Sequence, residues 1–151
     1  MAYLKILNKI PNKVAIALSG GVDSMVGLNF LINGKRDILA LHFNHGTEHS
    51  DLYENFVKNK CSEMGVRLVV SRLAEPIEKG RSKEDFWREK RYEFFDSVTD
   101  RKIVACHHLD DAVETWVFSS LKGTSKLIPY SRKNIIRNNT ICRFVFRISW
   151  R

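Results

Sequence analysis

Four short, mostly apolar runs recur along the chain, and each is followed by a polar loop and then a stretch with helical spacing. The runs are Val14–Leu18, Ile38–Phe43, Arg67–Val70 and Lys102–Cys106. Val14–Leu18, short, continuous and bounded by turn residues, reads as a strand buried on both faces, Ile38–Phe43 as a second buried strand, and the other two runs as the third and fourth strands. Between them, helices are expected over about 24–33, with Met25, Leu28 and Leu31 on one face and Gly34 as a left-handed stop. A second runs from Ser50 or Asp51 to about Met64, ended by Gly65. A third opens at Ser82, whose spacing to Asp85 is that of a capping box, and carries Phe86, Trp87, Tyr92 and Phe95. The fourth covers about 110–121 and is closed by Gly123. Strand–helix alternation repeated four times argues for an α/β domain, a parallel sheet with helices on both faces and right-handed crossovers. Asn134–Arg137 is a candidate fifth strand. With 151 residues the chain has the size of one domain, taken as residues 1–137 with a tail over 138–151.

Charge separates that tail from the body. Eight Lys/Arg and no Asp/Glu lie between Lys122 and Arg151, so the first 121 residues balance and the net charge of +8 belongs to the end. A basic tail attracts phosphate whatever the base sequence, and an ordinary solvated segment has the same composition. Phe144, Phe146 and Trp150 are its only candidate stacking groups. Cys61, Cys106 and Cys142 form no C-x-x-C pair, which argues against a disulfide framework and a thiolate metal site and for reduced thiols. No apolar run is long enough to span a membrane, and the start of the chain lacks a signal peptide's apolar stretch, so a cytoplasmic protein without membrane contact is expected.

Two loops carry the chemistry. Ser19-Gly20-Gly21-Val22-Asp23-Ser24 lies between a buried strand and a helix, where backbone N–H groups and the helix dipole favour an anion. Its glycines allow a tight turn and close approach to phosphates, and Ser19 and Ser24 add hydroxyls. Asp23 suits a bridging cation such as Mg²⁺ better than direct phosphate contact. A plain turn capped by Ser24 or Asp23 would have the same composition. Neither G-x-x-x-x-G-K-[ST] nor G-x-G-x-x-G fits the spacing.

The second loop follows the fourth strand: His107-His108-Leu109-Asp110-Asp111-Ala112-Val113-Glu114-Thr115. Asp110, Asp111 and Glu114 crowd one helical turn, an arrangement favourable where a divalent cation or a cationic substrate sits, and also open to N-capping with solvated acids. His107 and His108 are titratable candidates or ordinary turn histidines. Arg88 and Arg91, three apart on one helical face, suit phosphate or a carboxylate as well as surface salt bridges. Ligands of open parallel sheets bind beyond the carboxyl ends of the strands where strand order reverses. If strands one and four are neighbours, both loops face one crevice.

The string Ser-Gly-Gly-Val-Asp-Ser after an N-terminal apolar strand resembles the pyrophosphate-binding loop of the PP-loop ATP pyrophosphatase superfamily, whose members cleave ATP between the α- and β-phosphates. His-His-Leu-Asp-Asp-x-x-Glu-Thr at 107–115 resembles the second signature of one branch, the tRNA(Ile)-lysidine synthetases. His42-Phe43-Asn44-His45-Gly46 and Arg88-Glu89-Lys90-Arg91-Tyr92 are similar to two further segments of that branch. The matches fall in the family's order over residues 13 to 137.

This resemblance implies an adenine nucleotide α-hydrolase-like, Rossmann-like fold with ATP and Mg²⁺ as cofactors. Ser19, Gly20, Gly21, Val22, Asp23, Ser24 and His42 would bind ATP, Asp23 and Asp110 would hold the metal, and His45, Arg88 and Arg91 would contact substrate. Asp23, His107, His108, Asp110, Asp111 and Glu114 are the implied catalytic set. The implied reaction adenylates the C2 oxygen of a wobble cytidine in tRNA for attack by free L-lysine. Members of the branch continue into C-terminal domains that grip tRNA, so a short or minimal form is expected. The alternatives are a tRNA thiolase, a deazaguanine- or amide-forming enzyme of the same superfamily, and a non-catalytic ATP-binding module.

Overall fold

The structure, a computed structural model, describes residues 10–77, 80–106, 109–123, 131–132 and 135–137, the side chains of 109–112 and of the last two stretches excepted. Four strands and four helices alternate: β1 (Lys13–Ala17), α1 (Val22–Asn33), β2 (Asp37–Asn44), α2 (Glu48–Glu63), β3 (Arg67–Arg72), α3 (Lys83–Asp96), β4 (Lys102–Ala105) and α4 (Leu109–Leu121). Two short strands follow, β5 (Ser131–Arg132) and β6 (Ile135–Arg137). The sheet order is β3-β2-β1-β4-β6-β5. β1 pairs in parallel with both β2 and β4, and β6 lies parallel beside β4. The all-parallel expectation fails only at β5, which pairs antiparallel with β6 at the sheet edge.

Strand periodicity divides the core into two layers. Val14, Ile16 and Leu18 of the β1 segment point to one face with Ile38, Ala40 and Val104, where they meet Leu28 and Leu31 of α1 and Val57 and Cys61 of α2. Ala15, Leu41, Ile103 and Ala105 point to the other face and meet Phe95 of α3, with Tyr92 and Phe94 alongside. Successive residues of a strand alternate sides, so a continuous apolar run is what a strand covered on both faces requires. Val14, Ala15 and Ile16 at the centre of the sheet are fully buried. The space is tight where β4 ends: a Cβ at Gly27 of α1 would fall on Cys106 Sγ.

Several helix boundaries differ from expectation. The left-handed residue after α1 is Lys35, at φ 51°, while Gly34 has φ −76° and closes the helix through its N–H to Phe30. The α2 cap is Thr47, not Ser50 or Asp51: its hydroxyl accepts from Ser50 N at 3.1 Å. Ser82 does precede α3, but the capping box does not form, because Ser82 Oγ donates to Glu84 two residues on. Gly65 and Gly123 take the left-handed conformation expected of them.

Candidate active site

Topology decides where the two loops lie. β2 and β3 extend to one side of β1, and β4 and β6 to the other, so the strand order reverses between β1 and β4. In the β1–β4 ladder Ala17 pairs with Ala105, the last residue of each strand. Parallel strands in this register release Ser19–Ser24 and the segment after Cys106 from the same edge of the sheet. This is the crevice in which open α/β sheets bind ligands.

The first loop is shaped for an anion. The N-cap of α1 is Gly21, and no side chain makes the capping hydrogen bond, so the capped-turn alternative through Ser24 or Asp23 is not what forms. Ser24 Oγ donates instead to Gly21 O at 2.9 Å and lies 3.2 Å from Ser19 Oγ, which also accepts a 3.2 Å bond from Gly21 N. A helix N-terminus left to its own amides, with two hydroxyls gathered beside it, offers donors to a phosphate. Gly20 has φ 88°, and a Cβ there would come within 2.8 Å of Tyr53 Cδ1. Asp23 stands exposed in the first turn of α1.

Beside this loop a cavity of about 140 Å³ opens between the ends of β1 and β2, lined by Ser19, His42, His45, Tyr53, Arg91 and Phe95 among others. His42 is 3% exposed, and its Nδ1 lies 2.8 Å from Leu18 O. A carbonyl only accepts, so His42 Nδ1 carries a proton and donates it, leaving Nε2 as the ring atom turned away from the backbone. His42 Nε2 and His45 Nδ1 are both buried with no hydrogen-bond partner among the described residues. Buried polar atoms seldom go unpaired, so two such nitrogens beside a cavity are what a bound polar ligand would satisfy. His45 lies 4.9 Å from the Trp87 ring, tilted by 30°, and edge-on to Phe43. Burial, then the positive charge of Arg91, then His42, push its pKa down, favouring the neutral ring.

Asn44 fixes the loop that carries His45. It is fully buried at the end of β2, donates to Asp51 Oδ1 at 2.8 Å and to Glu54 Oε2 at 2.6 Å, and accepts from Gly46 N at 2.7 Å. Glu54 in turn binds Lys58, and Asp51 binds Arg72. Hydrogen bonds from Lys58 and Asn44 hold the Glu54 carboxyl below its ordinary pKa, and the Asn44 and Arg72 contacts do the same for Asp51.

Of the remaining site residues foreseen, Arg91 lines the cavity, while Arg88 is exposed; each guanidinium lies 5.8 Å from the Tyr92 ring. Glu114 is exposed on α4. Asp110 and Asp111 belong to the first turn of α4, with side chains outside the described set, and His107 and His108 lie outside the described residues, as does the tail over 138–151. The sequence marks Ser50 only as a helix start and Trp87 only as a helix residue, and gives no sign that these or Tyr53 belong to the site. Tyr53 approaches Gly20 across 33 positions of chain, a contact that only the adjacency of β1 and β2 creates, and no local pattern signals it.

A parallel sheet with a reversal beside β1, an amide-lined turn there and a cavity one strand over define an α/β nucleotide-binding domain. Residues 2–149 match the PP-loop domain family, and the chain belongs to it. A tRNA(Ile)-lysidine synthase of Bacteroides thetaiotaomicron is 34% identical over 122 residues, covering 75% of this chain and 29% of that protein. One of Neisseria meningitidis serogroup B is 36% identical over 117 residues, covering 74% and 27%. The chain thus spans under a third of these relatives' length. Among solved structures, an NH3-dependent NAD synthetase from Campylobacter jejuni shares the fold, with TM-score 0.53 and 11% identity over 74% of this chain and 53% of that one.

Proposed function

We propose that the chain is an ATP-dependent, tRNA-modifying ligase domain that adenylates a base oxygen, the C2 oxygen of a wobble cytidine, for attack by free lysine. The observation that carries this reading is the β1–β4 pairing, which brings the ends of the two motif-bearing strands side by side. The lysidine synthase relatives support the choice of acceptor and amine.

In the first step the base oxygen attacks the α-phosphorus, and the bond to the β-phosphate breaks. Negative charge grows on the departing pyrophosphate, where the amides at the start of α1 and the hydroxyls of Ser19 and Ser24 stabilise it. In the second, the lysine amine attacks C2 of the base and AMP leaves. That amine arrives as an ammonium; Asp110, Asp111 and Glu114 would hold it, and His107 or His108 would accept its proton. His42 would meet the adenosine end through Nε2. His45, Arg88 and Arg91 would contact the nucleic acid substrate, and the basic tail would add phosphate contacts.

Asp23 and Asp110 would hold magnesium, which supplies charge neutralisation at the phosphates when bound. Magnesium takes one or two carboxylates together with substrate phosphates rather than an all-protein cage. Asp23, exposed in the first turn of α1 next to the Ser19 and Ser24 hydroxyls, is a single carboxylate of the kind that habit uses. A thiolase reading is weakened by the placement of Cys106, whose sulfur abuts α1 at Gly27.

The test is pyrophosphate release in reactions containing ATP, lysine and tRNA, with each omitted in turn. AMP and pyrophosphate should form, and modified tRNA should appear only when lysine is present. One pyrophosphate per chain should need only ATP and tRNA, whereas AMP release that ignores lysine, or an Asp111→Ala chain that still modifies tRNA, contradicts the assignment.

A further inference from the structure

The two glycines of the phosphate turn are held in place differently. Gly21 is tied by hydrogen bonds: its N–H donates to Ser19 Oγ at 3.2 Å, and its carbonyl accepts from Ser24 Oγ at 2.9 Å. Gly20, at φ 88°, is held by packing. The place its Cβ would take lies 2.8 Å from Tyr53 Cδ1, 3.4 Å from Val57 Cγ2 and 3.6 Å from Tyr53 Cβ, so the Tyr53 side chain rests directly on the glycine backbone. Glycine has more backbone freedom to lose than any other residue. A turn that its ligand must order binds that ligand more weakly than a turn already in place.

Tyr53 is well supported for this task. It stands on α2 one turn after His49, whose ring meets it edge-on at 5.2 Å and 88°. The helix around it is anchored, because the neighbouring Glu54 accepts from Asn44 and Lys58, and Val57, one turn on, is fully buried. The Tyr53 ring is itself 41% exposed, so filling the core is not its main use. The atom nearest Gly20 is a ring carbon and not the hydroxyl. Tyr53 also lines the cavity together with Ser19, His42 and His45, which places it between the phosphate turn and the rest of the site.

We infer that Tyr53 is a positioning residue for the phosphate turn: its ring, resting on Gly20, biases the turn toward the left-handed conformation and so pre-arranges the amides that open α1 for a polyphosphate. The inference rests on the ATP-binding part of the ligase reading, and it has Tyr53 act through Gly20 rather than on the nucleotide.

Displacement of a bound α,β-methylene analogue of ATP by inorganic pyrophosphate and by adenosine probes the two ends of the nucleotide separately, on the full chain with Mg²⁺ present. Tyr53→Ala should weaken binding of the analogue and of pyrophosphate by about tenfold, the cost of ordering about one backbone residue on binding, and leave adenosine within about twofold of the parent. Tyr53→Phe keeps the ring carbons that touch Gly20 and should restore parental affinity. In the nucleotide-free chain, amide exchange at 20–22 should quicken by about fivefold or more in Tyr53→Ala and match the parent in Tyr53→Phe. Melting of Tyr53→Ala should shift by only a few degrees. Equal losses for pyrophosphate and adenosine would make Tyr53 a wall of the pocket and overturn the proposal. Unchanged pyrophosphate affinity or unchanged exchange in Tyr53→Ala overturns it as well. A parent chain that binds neither the analogue nor pyrophosphate rejects the ATP-binding reading and this role with it, a result distinct from parental binding that ignores the substitution.

Discussion

Gly20 and Gly21 are neighbours in one turn, yet alanine should fail at the two positions for different reasons. At Gly20 the backbone has φ 88°, and the new Cβ would sit 2.8 Å from Tyr53 Cδ1 and 3.4 Å from Val57 Cγ2. Holding a non-glycine residue in a left-handed conformation costs about 1–2 kcal/mol. Crowding a packed site adds about 1–3 kcal/mol, at the lower end here because the half-exposed Tyr53 ring has room to swing. Gly20→Ala should therefore lose about 2–4 kcal/mol, a large part of a typical domain's stability of about 5–15 kcal/mol. At Gly21 φ is −74°, and the nearest atom to an added Cβ is Ser19 Oγ at 3.3 Å. Gly21→Ala should cost no more than about 1 kcal/mol, the usual loss at an N-cap. Its methyl group would instead stand where phosphate approaches, and ATP affinity should fall by about tenfold or more. Urea unfolding and calorimetric ATP titration separate the two effects. Adding Tyr53→Ala to Gly20→Ala should return the crowding component and leave the conformational one. Equal stability losses at the two glycines, or a Gly21→Ala chain with parental ATP affinity, would refute the reasoning.

Other expectations follow from the same geometry. Asn44→Leu removes the partner of two carboxylates and of the Gly46 amide, and should cost about 3 kcal/mol or more by thermal or urea unfolding. Gly27→Ala should destabilise by about 1–3 kcal/mol through contact with Cys106, and Cys106→Ala in the same chain should recover most of that loss. His45 holds its proton less firmly folded than unfolded, so its contribution is complete above its ordinary pKa of 6.5 and declines as pH falls below it. The stability difference between the parent and His45→Phe, measured in urea at pH 7.5 and 5.5, should shift in favour of the variant at the lower pH. The lowered carboxylates of Asp51 and Glu54 act only further down, below about their ordinary values of 3.8 and 4.5, and leave that window clear.

The strands were legible because a strand covered on both faces must be apolar at every position, and Val14–Leu18 and Ile103–Ala105 are. The order β3-β2-β1-β4 was not written in any local pattern; it came through as a condition on which the shared crevice depended, and the ladder between Ala17 and Ala105 meets it. Helix ends were read less well, since several residues compete for each boundary. Thr47 outcompetes Ser50 by accepting that residue's own amide, and Lys35 takes the left-handed conformation expected of Gly34. Only the family resemblance pointed to His42 and His45, and the reason for their burial lies in contacts across the chain. Leu18 O fixes one ring and Trp87 stacks on the other, from segments 24 and 42 positions away. The exposure of Val113, Trp116 and Val117 on α4 was equally hidden, because apolar spacing says nothing about which way a helix turns.

Hydrogen exchange with a non-hydrolysable α,β-methylene analogue of ATP tests the convergence of the two loops most directly. Amides of Ser19–Ser24 and those at 107–111 should both gain protection on binding, in the parent and to a much smaller extent in Gly21→Ala. Protection confined to Ser19–Ser24, with exchange at 107–111 unchanged at saturating nucleotide, would contradict a single site built from both.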